Sequence, residues 1–91
     1  MDISKIELTY PLKLTDAEKN AVFNAFMVVY PEETRAWIEI ERVPDGKDDN
    51  ALREVSNLFR QFVLSNMKCD SNIASASLFM EIRGIIHKEH L

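Results

Sequence analysis

The chain has 91 residues, a formal charge of −4, 46% apolar residues and 29% charged ones. That is room for one modest core, a composition too apolar for disorder, and the wrong sign for a phosphate-backbone binder. Two glycines and three prolines exclude low-complexity linkers, and one cysteine excludes an internal disulfide.

The first predicted element is a strand. Ile6, Leu8, Tyr10, Leu12 and Leu14 alternate with Glu7, Thr9, Pro11 and Lys13, the period of a half-buried strand. Pro11 has no N–H for a ladder, which places the strand at a sheet edge or ends it near Tyr10. Thr15-Asp16-Ala17-Glu18 has the form of a capping box. It predicts a helix from Asp16 to about Tyr30, stopped by Pro31. From Ala21 onward this helix is apolar over most of its circumference, so it needs cover on more than one side. A place in the core and a self-association surface both satisfy that need.

Arg35 to Val43 alternates again. Ala36, Ile38 and Ile40 fall on one face; Trp37, Glu39, Glu41 and Val43 fall on the other. This predicts a second strand with a core face and a largely acidic face. Pro44-Asp45-Gly46-Lys47 reads as a turn. Asp48-Asp49-Asn50 reads as the cap of a helix from about Asp49 to Lys68, with Leu52, Val55, Leu58, Phe59, Phe62 and Val63 at three- and four-residue steps. Asp70-Ser71-Asn72 breaks the chain. The last segment supports a helix from about Ser75 to His90, with a strand up to Arg83 as the alternative. The expectation is one α+β domain over residues 1–91, in β-α-β-α-α order, with a two- or three-stranded sheet against helices. Two strands make a weak sheet, which brings dimerisation into view.

The net charge is concentrated in the middle. Residues 31–54 carry eight acids and four bases, and the rest of the chain carries seven of each. Such a segment suits a partner with a basic surface, and it also suits plain solvation. Trp37 stands on the acidic strand face and calls for cover by a helix of the same chain or by another protein. The candidate interface is therefore Trp37, Glu39 and Glu41, with Glu32 and Glu33 before them, Asp48 and Asp49 after them, and Met27 from the surplus apolar surface of the first helix.

Catalytic and metal readings are weaker. His87 and His90 give two ligands where zinc needs three or four. Asp45 to Asn50 has the carboxylate density of a calcium loop without its spacing. Cys69 has no histidine nearby in sequence to activate it. Glu39 and Glu41, read as solvent-facing, lack a pocket for acid–base work. No glycine-rich phosphate loop is present. No catalytic residue, cofactor or metal is assigned.

The expectation is a non-enzymatic protein-binding module, an adaptor, regulator or inhibitor, with a homodimer as one form. The alternative is an acidic nucleic-acid mimic that inhibits a nucleic-acid-processing or host-defence enzyme. A small ligand-binding domain is the third reading. The longest apolar stretch falls short of the ~20 residues that span a bilayer, and no signal-peptide run follows Met1. These point to the cytoplasm of the cell itself or of a host.

Overall fold

The computed structural model describes residues 2–43, 49–69 and 71–91. A short 3-10 turn, Ile3–Lys5, precedes the helices α1 (Asp16–Val29), α2 (Pro31–Arg42), α3 (Asp49–Asn66) and α4 (Asn72–Glu89). The domain is all-α, with no β-strand among the described residues. The predicted α+β architecture is therefore overturned. No helix among these residues is long and apolar enough to cross a membrane.

Helix α1 begins as its sequence dictates. The Glu18 backbone N–H donates to Thr15 Oγ1 at 3.1 Å, and the Thr15 N–H donates to Glu18 Oε1 at 2.9 Å. Two orphan donors of the first turn are thus satisfied. Helices α3 and α4 also form near their expected positions. Helix α4 begins three residues earlier than the sequence suggested, because Ser71 acts as its N-cap and accepts from the Ala74 N–H at 3.2 Å. The strand alternative for this segment is excluded.

The second predicted strand is instead α2. Pro31 does two jobs: it ends α1 and occupies the first turn of the next helix, where its missing N–H costs nothing. Glu32 and Glu33 follow in that turn and Arg42 closes the last one, complementing the helix dipole at both ends. The apparent alternation hid a helical face. Thr34, Trp37 and Glu41 are buried, Ile38 and Ile40 are half-buried, and Ala36 is exposed. A helix also satisfies its own backbone groups, whereas a strand there has no partner strand to satisfy them.

The first predicted strand forms no sheet, and its expected alternation holds only in part, because Tyr10, placed on the apolar face, is exposed. Ile6 and Leu8 are buried, Glu7 and Thr9 are exposed, and Leu12 and Leu14 are half-buried. The arm meets the α3–α4 connection in an isolated parallel bridge between Glu7 and Lys68. There the Leu8 N–H donates to the Lys68 carbonyl at 2.9 Å. With no sheet, the argument for dimerisation from a two-stranded sheet lapses. The expected turn at Pro44 to Lys47 lies outside the described residues.

Trp37 lies where the helices converge. It stacks on Phe79 of α4 at 4.8 Å between ring centroids and meets Phe23 and Phe26 of α1 and Phe59 of α3 edge-on at 5.8–6.0 Å. These offset and edge-to-face geometries are the favourable ones for aromatic rings. Helix α4 supplies the other half of the core through Ala74, Leu78, Ile82 and Ile86, each fully buried. Helix α1 contributes Val22, Phe23 and Phe26 but leaves Val28 and Val29 in solvent. Its apolar circumference is thus only partly covered within the chain.

Candidate functional site

Two features converge on α2, one on each side. The inner side carries Trp37 and Glu41, one helical turn apart. Helix α4 faces them with Arg83 and His87, also one turn apart. The Glu41 side chain is completely buried. Its Oε2 accepts from Trp37 Nε1 at 3.1 Å and from Arg83 Nε. Its Oε1 accepts from Arg83 Nη2 at 3.1 Å and lies 3.0 Å from His87 Nε2. The guanidinium therefore grips the carboxylate with a two-pronged fork. Burial acts to raise the Glu41 pKa, but hydrogen bonds from Arg83, His87 and Trp37, with the Arg83 charge, outweigh it and hold the group below its ordinary value.

This set has the residue types of acid–base chemistry without the disposition. A carboxylate has about four lone-pair sites, and the donors from Trp37, Arg83 and His87 already occupy them. A general base must reach a substrate proton, and Glu41 is sealed from solvent. The cluster fastens α2 to α4. Among the described residues, no group of three or more histidine, cysteine or carboxylate side chains is arranged to hold a metal ion. Cys69 is half-buried and its thiol donates to the Ser71 carbonyl at 3.3 Å. His90 packs edge-on against Phe23 at 5.6 Å, while His87 contacts Glu41.

The other side of α2 borders a groove. Glu33, Ala36 and Ile40 of α2 face Ala51, Glu54, Val55 and Leu58 of α3 across a volume of about 330 Å³. Five of these residues are apolar; the two polar ones are both carboxylates. Glu33 and Glu54 are exposed, and neither forms an ion pair with a described residue. A larger groove of about 620 Å³ lies under the N-terminal arm. Its lining mixes Glu7 with Lys68 and includes Thr9 and Ser71, so it offers neither a continuous apolar floor nor a charge of one sign.

The candidate interface residues are dispersed. Trp37 is fully buried in the core and Glu41 is buried in the ion cluster, so the supposed face of Trp37, Glu39 and Glu41 does not exist. Strand spacing put the three together; helical spacing turns Trp37 and Glu41 inward and leaves Glu39 in solvent. There Glu39 pairs with Arg42 at 3.4 Å. Glu32 is exposed beside Glu33 in the first turn of α2. Asp49 is exposed and lines a separate groove with Arg53, Phe79 and Met80. Met27 is half-buried against the core. Asp48 lies outside the described residues. Of the expected set, Glu33 alone lines the α2–α3 groove. The sequence reading assigned no role to Arg83 or Glu54 and weighed His87 as a metal ligand. The available signal was a pair of four-residue spacings, Trp37 to Glu41 and Arg83 to His87, legible once both segments are taken as helices.

No protein-family model matches the sequence, no curated protein is significantly similar to it, and no solved structure gives a significant match to its fold.

Proposed function

We propose that the chain is a non-enzymatic protein-binding module that docks its partner in the groove between α2 and α3. The observation that carries this reading is the groove's lining: an apolar floor of Ala36, Ile40, Ala51, Val55 and Leu58, bordered by the carboxylates of Glu33 and Glu54. An apolar strip rimmed by charge is the usual anatomy of a protein interface. Its volume of about 330 Å³ is at the lower limit for small-molecule sites, roughly 300 Å³. The groove suits a few anchoring side chains better than an enclosed ligand.

The acidic-mimic reading draws less support. One of the central acids, Glu41, is spent inside the fold on Arg83, and Glu39 is paired with Arg42. The carboxylates left at the surface are interspersed with the exposed Arg35 and Arg53.

The test is affinity capture with the wild-type chain and with Ala36→Arg, which fills the groove from an exposed helical position. A protein held by wild type and lost by Ala36→Arg supports docking in the groove. A protein held equally by both moves the interface elsewhere and refutes this assignment.

A further inference from the structure

We infer that the occupant of the α2–α3 groove is a basic amphipathic helix: aliphatic residues on one face, with lysine or arginine beside them. The inference rests on the docking reading above and adds the chemistry of the partner.

The charge follows from the lining. Glu33 and Glu54 have no cationic partner among the described residues and stand on opposite walls of one apolar groove. A partner that covers the floor also strips water from these carboxylates. A neutral or acidic partner leaves two desolvated, unpaired charges, which is strongly unfavourable. A lysine or arginine opposite each restores a pair and its hydrogen bonds. The acid excess of residues 31–54 favours the encounter with such a partner.

The helical form follows from the walls. Both walls are helices whose mid-helix backbone groups are already hydrogen-bonded internally. An extended peptide laid between them finds no strand edge to pair with, so its own N–H and C=O groups lose water without gaining partners. A polyproline segment needs an aromatic-lined groove, and the lining contains no aromatic residue. A helix brings its backbone already satisfied and offers only side chains. The stretch from Glu33 to Ile40 is about 10 Å long at 1.5 Å per residue, which matches two turns of a partner helix. The floor is aliphatic, with Ala36 and Ala51 giving depth, so it takes leucine, isoleucine or valine anchors.

The experiment is selection from a phage-displayed library of helical peptides, randomised at the anchor and flanking positions, against the immobilised full chain. Selected peptides are then titrated by fluorescence anisotropy against wild type, Ala36→Arg and Glu33→Lys/Glu54→Lys. Circular dichroism verifies that each variant keeps its fold. The expected winners carry aliphatic residues at three- and four-residue steps flanked by lysine or arginine. They weaken at least about tenfold on Glu33→Lys/Glu54→Lys, and they are lost on Ala36→Arg. Winners lost on Ala36→Arg but without basic enrichment, or indifferent to the double charge reversal, overturn the inference and leave groove docking standing. Winners indifferent to Ala36→Arg, or a library that returns none, overturn both.

Discussion

Removing Arg83 tests the proposal that the Glu41 cluster fastens α2 to α4. Arg83→Met keeps most of the aliphatic stem and deletes both prongs of the fork on Glu41. The carboxylate, fully buried in the wild type, keeps its contacts with Trp37 and His87. Breaking a buried ion pair by deleting one partner costs about 3–5 kcal/mol. Arg83 keeps 21% of its side chain exposed, so water reaches the vacated position and the lower end, about 3 kcal/mol, applies. A domain of this length has roughly 5–14 kcal/mol of stability in total, so the loss is large but measurable. Glu41→Leu/Arg83→Met removes the stranded charge. Its main residual penalty is the Trp37 N–H without an acceptor, about 1–3 kcal/mol. The double variant should therefore lose about 2 kcal/mol less than the sum of the singles. Urea titration followed by circular dichroism gives all corners of the cycle. A loss below about 1 kcal/mol for Arg83→Met, or strictly additive singles, would show that the fork is not what holds α2 to α4.

Two further outcomes are expected. Because the folded-state pKa of Glu41 lies below its ordinary value near 4.5, the cluster's stabilisation is fully present above that pH and is lost as pH falls through the folded value. Stability against urea between pH 5 and pH 3 should decline more steeply in wild type than in Glu41→Gln; equal slopes would remove Glu41 as the source. Gly84 is an exposed position within α4, and a Cβ added there meets nothing within 4 Å. Gly84→Ala should stabilise the domain by about 0.5–1 kcal/mol, read as a rise in the urea midpoint at unchanged slope.

Where two physical signals agreed, the sequence was easy to read. Thr15 and Glu18 announced α1 because capping chemistry and apolar spacing coincide there. The Leu52-to-Val63 stripe announced α3 in the same way. Residues 35–43 carried two periods at once, since Ala36, Ile38 and Ile40 alternate while Thr34, Trp37 and Glu41 follow a helix. The deciding clue lay upstream: Pro31-Glu32-Glu33 is a helix start, and taking Pro31 only as a stop concealed it. The N-terminal arm erred differently. Its alternation holds at Ile6 and Leu8 and fails at the exposed Tyr10, and period two marks an extended chain with one side buried, whether helices or a sheet do the burying. The site suffered most. A tryptophan and a glutamate four apart look like surface in a strand and like core in a helix, and the groove needs α3, whose distance from α2 no local pattern reports.

The fork on Glu41 has a consequence for the groove-facing side of α2. A single hydrogen bond lets a helix roll about its axis, but a planar two-pronged bond from α4 does not. Trp37, wedged among rings from the other three helices, blocks the same motion. The azimuth of α2 is thereby locked, and with it the aim of Glu33, Ala36 and Ile40, which lie roughly a quarter-turn around the cylinder at 100° per residue. Under the proposed docking, the groove would meet a partner as a stiff mould, with little ordering left to be done on association. A substitution at Arg83, which does not line the groove, should then loosen the proposed recognition through the roll of one helix.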